Sequence, residues 1–261
     1  MPSPLVSIIM PARNSAQFLG EAIESVLNQS FESWELVVSD DASSDGSKDL
    51  VNEFSRLDSR IRIVESFESG GPAVARNKAI ASAAGKWLAF LDSDDFWGRD
   101  KLSRTLDFAQ SRELALAYTS YYRISAGKLA KLFEVPEQAS YRKLLKSNFI
   151  TTSTVIVNRE MVPNFAMNED FRFDDYVAWL EILKAGLPAG GLLEPLSFYR
   201  KHPGSFSSSK IKAANHVYRI LSKHQALPSL EVGWYFLNYL ARGAYKHSVF
   251  AGKTVKLGGR E

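Results

Sequence analysis

The 261-residue chain contains no cysteine. That absence excludes a disulfide framework and any zinc site built on thiolates. No segment approaches the roughly 20 apolar residues that span a bilayer. No internal repeat and no low-complexity stretch is present. Met1-Pro2-Ser3-Pro4 shows no basic segment leading into an apolar one, so a secretory signal is not expected. There is no Walker loop and no G-x-G-x-x-G fingerprint, which argues against P-loop and nicotinamide chemistry. A cytoplasmic protein fits these absences.

What is present is enough apolar material, 45% of the residues, for one large domain with or without a small appendage. The net charge of +3 hides an uneven distribution. Residues 200–261 hold eleven Lys/Arg and two Asp/Glu, a net +9, and all four histidines. The preceding residues are net negative, at −6. A basic appendage on an acidic body suits an anionic partner such as a lipid surface, or is a solvated helical face. No nucleic-acid partner is expected, and the sequence leaves the oligomeric state open.

The first half alternates short apolar runs with helical periodicity. Strands are expected over 5–10, 34–38, 61–64 and 87–91, with helices over 18–28, 47–57 and 73–84 between them. That order predicts an α/β fold with a mostly parallel sheet flanked by helices. Further strands are expected over 114–122 and 154–157, and a helix over 174–185. Two helical stretches, 211–224 and 230–246, form a C-terminal helical extension. The expected division is one body over 1–209, in two halves at 1–112 and 113–209. A basic amphipathic tail follows over 210–261.

Sheets of this kind bind ligands beyond the carboxyl ends of their strands, and those ends are polar here. Asp92-Ser93-Asp94, followed by Asp95, places carboxylates together after an apolar strand. Such oxygen-rich clusters suit Mg²⁺ or Mn²⁺ completed by phosphate oxygens; a helix N-cap before 99–110 is the plainer role. Asp40-Asp41 stands at another strand end, placed to accept from the ring N–H of a uracil or thymine base or to close an Asx turn. Gly70-Gly71-Pro72 leads into a helix that carries Arg76, a combination suited to a diphosphate. Asp174-Asp175 starts a helix, where acids favour the dipole and one of them is placed to act as a general base. Tyr199-Arg200-Lys201-His202 reads as a loop, with His202 open to a metal or a diphosphate. The hydroxyls of Thr151-Thr152-Ser153-Thr154 suit a sugar or a strand edge equally.

Together these segments resemble the family 2 glycosyltransferases of GT-A fold. Residues 39–47 are similar to the family's D-D-G-S-x-D-G-[ST] segment, and residues 71–77 to its G-x-x-x-A-R-N segment. Leu91-Asp92-Ser93-Asp94-Asp95 resembles its metal motif. Residues 174–180 resemble E-D-x-x-x-W, with Asp174 in place of the usual Glu. Residues 199–205 resemble the Y-R-x-H-x-x-S loop of bacterial members that build capsules, O-antigens and teichuronic acids. Ala42 stands where Gly is usual. The matches keep the family's order over about residues 5–209.

The resemblance implies a metal-dependent, inverting hexosyltransferase with a Rossmann-like sheet, its catalytic domain over 1–209 divided into a nucleotide-sugar binding half at 1–112 and an acceptor half at 113–209. It places Pro11, Arg13, Asp40 and Asp41 around the base and ribose, Arg76 at the diphosphate, and Asp92 at the ribose or a metal-bound water. Asp94 and His202 are the implied metal contacts, for Mn²⁺ or Mg²⁺, and Asp175 the implied base. The donor is a nucleotide-sugar, with uridine favoured, and the acceptor a glycan or lipid-linked hydroxyl in surface polysaccharide synthesis. The rival functions are a nucleotidyltransferase that makes nucleotide-sugars and an inactive nucleotide-binding scaffold. For the tail, peripheral contact with the anionic inner face of the membrane competes with packing on the body or a dimer contact.

Overall fold

The computed structural model describes residues 3–125, 129–202, 210–248 and 254–256. Buried branched residues in Val6–Ala12 (β1), Trp34–Asp41 (β2) and Ile61–Ser66 (β3) build parallel strands. The helices Ala16–Leu27 (α1) and Ser47–Leu57 (α2) connect them. Helix Pro72–Ser82 (α3) then returns the chain to Trp87–Phe90 (β4), which lies parallel to β1 on its other side. Proline at the first turn of α3 suits a position whose N–H has no helical partner. The expected parallel βα framework therefore places four strand ends on one edge.

Beyond β4 the sheet becomes mixed. The short strand Phe96–Trp97 (β5) precedes helix Lys101–Ser111 (α4). Leu116–Ser125 (β6) and Leu129–Phe133 (β7) pair antiparallel, followed by helix Tyr141–Lys146 (α5). Ile156–Asn158 (β8) lies antiparallel between β4 and β6. Helix Asp174–Lys184 (α6) leads to the long strand Ala189–Lys201 (β9), which runs parallel to β6 and pairs with β5. Helices Lys210–Arg219 (α7) and Ser229–Ser248 (α8) are joined through a π-turn at Ile220–His224, and Thr254–Lys256 (β10) pairs with β7. The strand order is β10-β7-β6-β8-β4-β1-β2-β3.

Several expectations shift. Residues Thr152–Thr154 form a 3-10 turn rather than the start of a strand, so β8 begins two residues later than expected. Residues 199–201 end β9 instead of opening a loop, because they pair with Arg123, Ile124 and Ser125 of β6. Pro203, Gly204 and Ser205 of that segment lie outside the described residues.

One apolar cluster packs α1, α2 and α4 on one face of the sheet, around Ile8, Met10, Ile23 and Leu102. The other face carries α3, α5 and α6 around Phe90, Tyr118 and Trp179. Val217, Ile220, Leu221, Val232 and Tyr235 of the C-terminal helices are buried in this second cluster. The alternation of side chains along each strand dictates this two-faced core.

Candidate active site

The first group of site residues surrounds the ends of β1 and β2. Asp41 is buried and accepts from the Gly70 N–H at 2.7 Å, the Gly71 N–H at 3.0 Å and the Ser69 hydroxyl at 2.7 Å. The Arg13 guanidinium stands 4.0 Å from the same carboxylate and donates to Ser69. Gly71 has φ +87°, a backbone region that glycine reaches without a Cβ clash, and this bend aims both N–H groups at Asp41. One oxygen of Asp40 accepts from the Ser43 N–H at 3.0 Å, closing the turn. Its other oxygen is buried with no hydrogen-bond partner among the described residues. Ala42 takes φ +57°, the left-handed region that explains the usual glycine of such turns. Pro11 lies in β1 opposite Ser39 of β2.

The second group centres on α3. Arg76, little more than one turn past Gly71, is buried and donates to Asp92 at 2.6 Å and Asp174 at 2.7 Å. These two carboxylates raise the guanidinium pKa further, so it stays charged despite burial. Its Nε is buried with no hydrogen-bond partner among the described residues. Asp174, where the resemblance expects Glu, is thus a counter-ion that ties α6 to α3. That role came from no local signal, since the two residues are 98 positions apart.

Asp175, next along α6, accepts from the Thr152 hydroxyl at 2.7 Å and from the Tyr176 N–H at 2.7 Å. Burial and the neighbouring Asp174 charge push its carboxyl up to about 6, against the opposing pull of Arg76. A base that titrates in this range is deprotonated at neutral pH yet more basic than an ordinary carboxylate.

The third group is the turn after β4, closed by Asp95 N–H to Asp92 C=O at 3.0 Å. Asp94 Oδ2 meets His202 Nε2 at 3.0 Å, and the His202 ring packs 5.0 Å from that of Phe18. Burial and Asp92 raise the Asp94 carboxyl, with His202 opposing. Asp95 points inward and is buried, accepting from the Arg200 N–H at 2.8 Å and from Ser153. Burial and the charges of Asp94 and Asp92 hold it well above the usual carboxylate range. Arg200 also donates to the Asp94 carbonyl at 2.9 Å and to Glu21 at 2.6 Å, so β9, β4 and α1 lock together here. The acids are not the N-cap of the next helix: β5 intervenes and Asp100 holds the N-cap position of α4.

Ser153, Thr152, Asp95 and Arg200 carry the site's internal bonds without having been singled out individually. The Thr151–Thr154 hydroxyls, which the sequence leaves open to a sugar or a strand edge, lie at a 3-10 turn in which Thr152 holds Asp175 and Ser153 holds Asp95. A run of hydroxyls beside a buried acid cluster was the available signal.

Among the described residues no group of three or more His, Cys, Asp and Glu is arranged to hold a metal ion by itself. Asp94 and His202 supply two donors at the edge of an acidic turn. Mg²⁺-type ions are commonly held by one or two protein groups together with water and substrate phosphates. The pair therefore fits an ion that is bound together with a diphosphate.

The sequence profile of glycosyl transferase family 2 matches residues 7–160. The putative teichuronic acid biosynthesis glycosyltransferase TuaG of Bacillus subtilis (strain 168) is 37% identical over 245 residues, covering 93% of this chain and 97% of its own. The UDP-Glc:alpha-D-GlcNAc-diphosphoundecaprenol beta-1,3-glucosyltransferase WfgD of Escherichia coli is 36% identical over 248 residues, covering 94% and 95%. Among solved structures, S. aureus TarS 1-349 in complex with UDP-GlcNAc superposes with a TM-score of 0.70 at 20% identity, covering 97% of this chain and 76% of that one. The mannosyltransferase PcManGT of Pyrobaculum calidifontis, in complex with GDP-Man and Mn²⁺, gives 0.67 at 19% identity, covering 96% and 76%.

Proposed function

The chain belongs to glycosyl transferase family 2, and from that premise we propose that it moves one sugar from a UDP-sugar to a hydroxyl of a lipid-linked glycan, inverting the anomeric carbon. The observation that carries this reading is the placement of Asp175. It stands beside the Arg76–Asp92–Asp174 network, held by Thr152 and raised to about 6. The lipid-linked acceptor and the UDP donor are supported by the activity of the WfgD relative, which is 36% identical to this chain over 248 residues.

The residues divide the work by position. Asp41 and Arg13, with Pro11 and Asp40 beside them, face the base and ribose. The open oxygen of Asp40 is suited to a ring N–H. Arg76 fixes Asp92 and lends positive potential to the diphosphate. Asp94 and His202 would hold a Mn²⁺ or Mg²⁺ ion, which when bound neutralises charge on the departing diphosphate. Asp175 accepts the proton of the acceptor hydroxyl while that oxygen bonds to the anomeric carbon. The bond to the nucleoside diphosphate breaks on the opposite side, giving single-displacement inversion. General-base assistance of this kind contributes about 10²–10⁴ in rate.

Asp175→Asn is expected to lower transfer by about 10² or more while uridine diphosphate binding persists, as measured by calorimetry. Near-normal turnover in that variant would remove Asp175 as the base. In the wild type, kcat/KM is expected to rise with pH through an ionisation near about 6 as Asp175 loses its proton. Chelator is expected to abolish transfer and Mn²⁺ or Mg²⁺ to restore it. Full activity in chelator would show that Asp94 and His202 serve another purpose.

A further inference from the structure

Helix α8 carries apolar side chains on two opposite faces. The inner face, Val232 and Tyr235, is buried in the core, and Tyr239 packs partly buried against the same cluster. The outer face holds Leu230, Trp234 and Leu237, exposed to 90%, 58% and 65%. At 100° per residue these three fall within an arc of about 60°. Gly233 and Ala241 extend the face without adding charge, and Leu240 borders it. Water gains nothing from such a surface; an apolar phase does.

We infer that this outer face is a docking surface for an anionic lipid bilayer. Exposed Arg219 and Lys223, on the preceding helix and its π-turn, and exposed Arg242 lie in the same helical unit, with Glu231 as the acid along α8. Tyr218, also exposed, sets its ring against Phe236 of α8 at 5.5 Å. An apolar arc with a tryptophan and basic neighbours is the pattern of a helix lying in the headgroup region. No helix among the described residues is long and apolar enough to cross a membrane, so α8 would lie in the interface plane. Charge selects the occupant. A second copy would bring another segment of net +9 against this one, which opposes association, whereas anionic headgroups neutralise it.

The consequence for the site follows from one helix having both neighbours. Its outer face rests on lipid while its inner face packs in the core cluster that holds Tyr176, the residue after Asp175, so the site is held at the surface where a lipid-linked hydroxyl lies. That last step rests on the proposed acceptor; docking itself needs no sugar transfer.

The test is flotation of the full chain with vesicles of phosphatidylglycerol and phosphatidylcholine in equal parts, against phosphatidylcholine alone. Wild type is expected to float with the anionic vesicles, less so as salt rises. Trp234→Ser/Leu237→Ser alters only exposed side chains and is expected to lower the partition coefficient by about tenfold or more. Its unchanged uridine diphosphate binding would show the fold intact. Equal flotation of wild type and variant, or none by wild type, would overturn the inference. So would a wild-type dimer in sedimentation velocity that the variant loses, because the face would then belong to a second copy.

Discussion

Lys101, the first residue of α4, is fully buried, and its Nζ lies 4.1 Å from the centroid of the Trp97 ring. No hydrogen-bond partner for that nitrogen is found among the described residues, and burial pulls its pKa down from 10.5 to about 7. The effect on stability has a definite sign. Above 10.5 the amine is neutral in both folded and unfolded chains. As pH falls from 10.5 toward 7 the unfolded chain takes up the proton and the folded one does not, so stability declines across that window and levels off below it. Lys101→Met removes this loss and keeps a soft contact with the indole. The variant is expected to be more stable near pH 7 by on the order of a few kcal/mol, with the advantage vanishing as pH approaches 10.5. Urea denaturation of both proteins across that range measures it; a constant difference would mean that the amine does not titrate on folding.

Helix α3 joins the two halves of the site. Its N-terminal glycines hold Asp41, and its Arg76 holds Asp92 after β4 and Asp174 at the start of α6. Arg76→Met would leave two partly or fully buried carboxylates without their counter-ion. The expected cost is about 3–5 kcal/mol, and Asp174→Asn added to it should recover part of the loss. A single variant as stable as wild type would show that α3 and α6 are held by packing alone. The sequence made α3 and α6 legible as helices, because glycine and proline precede one and acids start the other. It did not show that the acid before the proposed base is the arginine's partner. Helix periodicity reports which face is buried, not which distant side chain meets it.

By sequence the C-terminal helices are an appendage, yet in the fold they share the core of the body. Val217, Ile220, Leu221, Val232 and Tyr235 pack in the cluster that contains Tyr176, Trp179 and Leu144. Deleting residues 210–261 would expose the apolar surface beneath them, each such side chain being worth roughly 1.5–3 kcal/mol of burial. The shortened chain is expected to aggregate or lose its cooperative thermal transition. A soluble fragment with a sharp, wild-type-like melt would show that the body folds without these helices. For the same reason, surface substitutions on α8 give a cleaner reading of membrane contact than truncation does.

The alternation of apolar runs and helical stretches determined the parallel βα half by itself, and with it the strand ends that carry Arg13, Asp41 and Asp92 and the helix that carries Arg76. Those patterns are local, and burial of one face enforces them wherever the chain folds. Tertiary structure alone decided that Asp174 meets Arg76 across 98 positions, that His202 meets Asp94 across 108, and that Thr152 holds the proposed base. It also decided which of the two apolar faces of α8 enters the core. Hydrogen bonds are made or lost within a few tenths of an ångström, and only the packed sheet and helices bring groups so distant in the chain to that separation.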